Sequence, residues 1–169
     1  TLTFMLGGRA ADVERAREIV APMAGNTIAC GEAGAGIAAK LVNNMMLFIG
    51  VMAMSEGSQL AEQLGLDAKI FWEVACVSSG DSWPLRTWYP VPGVLENAAA
   101  NNNFDATFSV DLARKDCGLA VQAGDTTGVH LPAARLALAQ LDELIADGLG
   151  AMMFSINDSG DIERAPVTA

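Results

Sequence analysis

The residues whose types and spacing admit chemistry lie between positions 31 and 44, in the order Gly31-x-x-Gly34-x-Gly36-x-x-x-Lys40-x-x-x-Asn44. The glycines permit a close backbone approach and a clean start to a helix. Lys40 and Asn44 are one helical turn apart and so share one face of that helix. Lys40 falls near the helix start, where the dipole disfavours a cation, and apolar residues follow it; both effects ease release of its proton. Such a lysine can pass a proton to or from a substrate hydroxyl, with Asn44 beside it to hold a substrate oxygen. Taken alone, these residues leave a plainer reading open. Lys40 would then be a solvated charge in an early turn, and Asn43 and Asn44 would only hydrogen-bond a neighbouring loop.

The glycines also invite a false reading. Their order is GxxGxG, not the GxGxxG of a dinucleotide-binding loop. Glu56 lies about 20 residues further on, the separation of a ribose-binding acid in that motif. The stretch between reads as one continuous helix, however, with no second strand to carry the acid, so a nucleotide loop is rejected at this point.

The elements that must position Lys40 and Asn44 follow from periodicity. Residues 2 to 6 read as a short buried strand ended by Gly7-Gly8, and Thr27 to Cys30 as a second strand. Between them, Asp12 to Ala24 is helical, with Val13, Ala16, Ile19 and Val20 on one face and Pro22 and Gly25 closing it. This β-α-β piece is too small to be a domain and reads as the tail of an α/β domain. From Gly36 to Leu64 there is one long helix, apolar on all sides from Met45 to Met54, which implies burial in a larger assembly. Gly65 stops it. Asp67 caps a helix that runs through Val77. Residues 78 to 103 form a long irregular stretch punctuated by Pro84, Pro90 and Pro92. Helices then run from Phe108 to Thr126 and from Pro132 to about Asp147, with Gly148 as the stop. Residues 157 to 169 read as a frayed tail.

Bulk properties exclude several classes. The chain has 169 residues, a net charge of −10 and 51% hydrophobic residues. The charge repels nucleic acid and anionic lipid. The apolar run Met45 to Met54 is about half of the ~20 residues a membrane span needs. Cys30, Cys76 and Cys117 fit no zinc or redox spacing and read as reduced, buried thiols in a reducing compartment. His130, before Pro132 in a turn, is the single histidine and reads as structural, so no metal site is expected. The chain opens without a methionine or a visible signal peptide, as a fragment would.

The Gly31 to Asn44 segment resembles the active-site signature of the β-hydroxyacid dehydrogenase family. Ser78-Ser79-Gly80-Asp81-Ser82-Trp83, followed by Tyr89-Pro90-Val91-Pro92-Gly93-Val94, looks like the loop typical of its 3-hydroxyisobutyrate branch. Phe108-x-x-x-Leu112-x-x-Lys115-Asp116-x-Gly118-Leu119-Ala120 is similar to the family's second lysine motif, and Thr1-Leu2-Thr3-Phe4-Met5-x-Gly7-Gly8 to the end of its cofactor domain. The likeness runs from residue 1 to about Ile156.

The resemblance implies a mainly α fold. Residues 1–33 would be the tail end of an N-terminal Rossmann, dinucleotide-binding domain. Residues 34–169 would be an all-helical substrate and dimerisation domain built around one long central helix. The implied reaction is reversible hydride transfer between NAD or NADP and a small β-hydroxyacid, with 3-hydroxyisobutyrate as the first-choice substrate and an aldehyde as product. Lys40 would handle the hydroxyl proton as the catalytic residue, Asn44 and Gly36 would bind substrate, and Lys115 and Phe108 would close over the cofactor. A homodimer or homotetramer is implied, in the cytoplasm or, in a eukaryote, the mitochondrion.

Without the resemblance, Lys115 and Asp116 read as a helical surface pair. Trp83 and Trp88 either line the substrate pocket or pin their loop. The family pattern departs at Met153, in Gly148-x-Gly150-x-x-Met153-Phe154-Ser155, where an aspartate is usual. A methionine near the mouth of the site would alter substrate preference. Most of the Rossmann domain is absent from the sequence, so the chain alone is expected to be inactive. Two other readings stand beside this one: a tartronate semialdehyde reductase-like enzyme, and a non-catalytic helical oligomerisation module.

Overall fold

The computed structural model describes residues 2–153. Strand β1 (Leu2–Gly7), helix α1 (Ala10–Val20) and strand β2 (Ala24–Gly31) form a β-α-β unit whose two strands pair in parallel, with Met5 opposite Ile28. The helix stops earlier than the sequence suggests. Pro22 cannot continue a helical ladder, and the turn at Pro22 leads straight into β2, so Gly25 lies within a strand instead of closing the helix. Nor is β1 buried within this chain. Leu2 is exposed and the strand's middle only half-covered, while Ile19, Met23 and Ile28 are also exposed.

The long helix α2 (Ala35–Gln63) runs unbroken through Glu56, which removes the nucleotide-loop reading of the glycines before it. Helices α3 (Ala68–Cys76), α4 (Trp83–Thr87), α5 (Val110–Thr127) and α6 (Pro132–Ala146) pack around it. Gly65 and Gly148 take left-handed φ values of 78° and 83° just past the ends of α2 and α6, where a side chain would be strained. Asp67 caps α3 by accepting from the backbone N–H groups of Lys69 and Ile70. The stretch from 78 to 103 is more ordered than its composition suggests. Ser82 caps α4, and Ala99–Asn102 forms a 3-10 turn. Asn101 ties that turn back by donating to the carbonyls of Leu95 and Glu96. Helix α5 begins two residues later than expected, with Ser109 as its cap, so Phe108 precedes it.

The core lies between α2, α5, α6 and the Trp83–Phe104 stretch, with Phe48, Val51, Tyr89, Val110, Cys117 and Leu141 among its buried side chains. Cys76 and Cys117 are buried as expected, but Cys30 is only half-buried. Cys117 donates to the Ala134 carbonyl, and burial, with the charge of Asp142, pushes its thiol up to about 11.

Much of α2 is uncovered. Ile37, Val42, Met46 and Leu60 all face solvent in this chain. By length and mean hydropathy (1.6) α2 would meet the composition of a membrane span, which the uninterrupted apolar run alone does not suggest. Its other face packs on β1, β2 and every remaining helix except α1.

Candidate active site

Three polar side chains converge on one carboxylate. Lys40 and Asn44, one turn apart on α2, both reach Asp116 on α5: Lys40 Nζ lies 3.3 Å and Asn44 Nδ2 3.0 Å from its Oδ2. Lys115 Nζ sits 3.0 Å from Oδ1. Lys40 and Asn44 thus share one face of α2, as their spacing implies, and Lys115 reaches the same carboxylate from α5, a convergence the sequence does not foretell. Asp116 corrects the sequence reading. It is no surface residue; its side chain is 9% exposed, against 60% for Lys40 and 61% for Lys115.

The periodicity of α5 carried the signal. Ala113, Cys117, Ala120 and Gly124 form its buried stripe, and Asp116 falls within that stripe. An acid on an apolar face needs partners. Burial raises the Asp116 carboxyl, but hydrogen bonds from Lys115, Asn44 and Lys40, with the Lys40 charge, outweigh it and hold it below the ordinary carboxylate value.

The cluster has a definite chemical character. Two ammonium groups share one carboxylate, which leaves one positive charge uncompensated in a chain of net charge −10. The carboxylate is buried and both ammonium groups are open to solvent. The arrangement offers N–H donors and a positive charge to an oxygen-bearing ligand.

Gly36 has a packing reason for being glycine. It is buried in the first turn of α2, and a Cβ there would overlap the carbonyl oxygen of Met5 in β1. The reciprocal position is as tight: a Cβ at Gly7 would stand 2.6 Å from the Glu32 carbonyl oxygen. These two glycines let the start of α2 dock on the end of β1, which sets where Lys40 emerges.

Phe108 lies between two other rings. It stacks on Phe48 (centroids 6.3 Å) and on Trp88 (6.2 Å), and Trp88 meets Trp83 edge-on at 4.9 Å. Phe48 continues the Lys40–Asn44 face of α2 by one more turn. The two tryptophans differ in their surroundings. Trp88 is half-buried and pins the loop, whereas Trp83 is exposed and lines a surface groove of about 440 Å³ with Asn43, Met46, Leu47, Gly50 and Pro84.

Met153 is not at the mouth of a site. Its side chain is fully buried in the core, its N–H donates to the Phe104 carbonyl, and Thr107 Oγ1 donates to its sulfur. An aspartate there would be a buried acid, so methionine is explained by packing. Phe154, Ser155 and the tail from 157 lie outside the described residues.

Known proteins share this arrangement of sequence and fold. A family model described as the NAD-binding domain of NADP-dependent 3-hydroxyisobutyrate dehydrogenase matches residues 34–155. A probable 3-hydroxyisobutyrate dehydrogenase of Mycobacterium tuberculosis is 46% identical over 132 residues, covering 78% of this chain and 45% of that protein. The NAD-dependent L-serine dehydrogenase of Pseudomonas aeruginosa is 37% identical over 156 residues, 92% of this chain and 52% of the relative. A solved structure of the Mycobacterium tuberculosis 3-hydroxyisobutyrate dehydrogenase with L-serine superposes with a TM-score of 0.86 at 42% identity, over 92% of this chain and 53% of that one. The chain thus spans about half the length of the relatives it matches.

Proposed function

This chain belongs to the 3-hydroxyisobutyrate dehydrogenase family, and from that premise we propose that the enzyme containing it oxidises a small β-hydroxyacid at the Lys40–Asn44–Asp116–Lys115 cluster. The observation that carries the reading is that single buried carboxylate collecting Lys40, Asn44 and Lys115 while leaving both ammonium groups exposed. A scaffold has no use for such a cluster. NAD or NADP, when bound, supplies the hydride acceptor.

The chain's own residues do the rest. Lys40 accepts the proton of the substrate hydroxyl as its neutral amine, or stabilises the developing alkoxide as its ammonium, and Asp116 holds the nitrogen in place by accepting a hydrogen bond from it. Asn44 spends one N–H on Asp116 and offers the other to a substrate oxygen. Lys115 fits the cofactor side of the cluster, since its ammonium is exposed and already fixed by Asp116. With Phe48 and Trp88 stacked against it, Phe108 would reach a cofactor by its edge. Gly36 acts on substrate through placement, by seating α2 on β1.

Residues 1–33 belong in this reading to a dinucleotide-binding domain, and 34–169 to the helical domain. Support comes from the open edges of the two-stranded sheet and the exposed Leu2, Ile19, Met23 and Ile28, which more α/β structure would cover. The exposed apolar residues of α2 favour a homodimer or homotetramer. The compartment is a reducing one, cytoplasm in a bacterium and mitochondrion in a eukaryote. The chain by itself carries no phosphate-binding loop and is expected to be inactive.

The substrate is first 3-hydroxyisobutyrate, giving methylmalonate semialdehyde. L-serine is a specific second choice because one relative is an L-serine dehydrogenase and one solved relative was determined with L-serine. The test is NAD(P)+ reduction by the full-length enzyme against 3-hydroxyisobutyrate, L-serine, glycerate and 3-hydroxypropionate, with Lys40→Ala alongside. The expected loss in the variant is about 10²- to 10⁴-fold, with at most a small fall in Tm because Lys115 and Asn44 still pair with Asp116. Undiminished turnover in Lys40→Ala would remove Lys40 from this role, and cofactor binding without turnover of any of these acids would favour another substrate or the oligomerisation module.

A further inference from the structure

Asn43 stands between two features already described. Its side chain lines the groove beside Trp83, and its Nδ2 donates to Asn44 Oδ1 at 3.4 Å. Asn44 in turn donates to Asp116. A carboxylate only accepts, so Asp116 settles which end of the Asn44 amide faces it. One hydrogen bond is nevertheless a pivot, about which the amide plane can turn. A second anchor on Oδ1 fixes that plane, and with it the direction of the remaining Asn44 N–H.

We propose that Asn43 is a positioning residue of the site, anchoring Asn44 Oδ1 so that the free Asn44 N–H points in one direction toward the substrate. The inference rests on the reading of Asn44 as a substrate-orienting group. It gives the pair Asn43-Asn44 a division of labour: one asparagine contacts the ligand and its neighbour holds the first in register. Asn43 is exposed at the rim of the core helix, so its substitution leaves the core untouched.

The test uses the full-length enzyme with Asn43→Leu, Asn43→Asp and Asn43→Gln. Leucine keeps the shape and removes the donor. Aspartate keeps the shape and offers only an acceptor, which repels Asn44 Oδ1. Glutamine keeps the amide, and the open groove accommodates its extra methylene. Loss of one such hydrogen bond corresponds to about a five- to tenfold rise in KM for the acid. The expected order is aspartate worst, leucine next and glutamine closest to the parent, with KM for cofactor and Tm unchanged. Values for leucine and aspartate within twofold of the parent would overturn the proposal, as would losses that fall equally on cofactor KM and follow a drop in Tm.

A readout without turnover separates this failure from failure of the functional reading. The side-chain amide protons of Asn44, identified in the ¹⁵N spectrum by their disappearance in Asn44→Asp, should shift in Asn43→Leu. Unchanged Asn44 amide resonances in that variant would overturn the proposal whatever the substrate proves to be.

Discussion

Lys40 Nζ stands 3.3 Å from Asp116 Oδ2 across 76 positions of sequence. The contact joins the exposed start of α2 to the buried stripe of α5, so its loss should be felt in activity before stability. Asp116→Asn keeps the shape but turns an amide toward groups that donate. The expected result is a fall in kcat/KM of about 100-fold, measured by steady-state kinetics. The pH dependence has a definite sign. The Asp116 carboxyl lies below its ordinary value in the folded protein. Its contribution to stability is therefore present above the unfolded value of about 4 and is lost as pH falls through the folded one. Acid unfolding of the variant should lack that component, and identical acid-limb curves for the two proteins would contradict it.

How much of this was legible beforehand depends on the range of the interaction. Asp67, Gly65 and Gly148 announce helix ends because capping is local chemistry, and α2 and α6 end within a residue or two of the positions their patterns imply. Lys40 and Asn44 were readable as a pair for the same reason. Asp116 was missed because two of its three partners, Lys40 and Asn44, lie on another helix; the adjacent Lys115 disguised it as a surface pair, although the stripe of α5 placed it inside. Met153 was misplaced at the site because a motif gives proximity in sequence and says nothing of which way a side chain turns. The exposure of β1 follows from what would have to cover it, which no pattern within the strand can show.

Gly36 allows a separation of packing from ligand contact. A Cβ there meets the backbone of Met5, which cannot rotate away as a flexible side chain would. Gly36→Ala should destabilise by about 1–3 kcal/mol, read from chemical denaturation. Any activity loss should follow displacement of α2 relative to β1. A variant as stable as the parent with weakened substrate binding would instead restore a direct substrate role to this glycine.

Cys117 should be silent to thiol reagents in the folded protein. Its thiol is buried, bonded to the Ala134 carbonyl and raised to about 11, whereas the thiolate is the reactive form. At pH 8 a disulfide reagent should titrate Cys30 readily and Cys117 only on unfolding. The raised value also has a sign for stability. The contribution is complete below the unfolded value of about 8.5 and is lost as pH rises towards 11. Rapid labelling of Cys117 without denaturant, located by peptide mass, would show that the α5–α6 contact opens.

Phe48 links the core to the site. It is fully buried, and its ring stacks on Phe108, which stacks on Trp88. Phe48→Ala removes a large side chain from a packed interior and should destabilise by about 3–5 kcal/mol. A second effect should appear where the variant remains folded: Phe108 and Trp88 lose their support, so tryptophan emission should move toward that of solvated indole. Phe48→Leu keeps most of the volume without the ring. It should recover most of the stability, as judged by denaturation, while leaving part of the emission change. Emission identical to the parent in both folded variants would mean that the Trp88 environment is set by the loop alone and that the aromatic chain transmits nothing from α2.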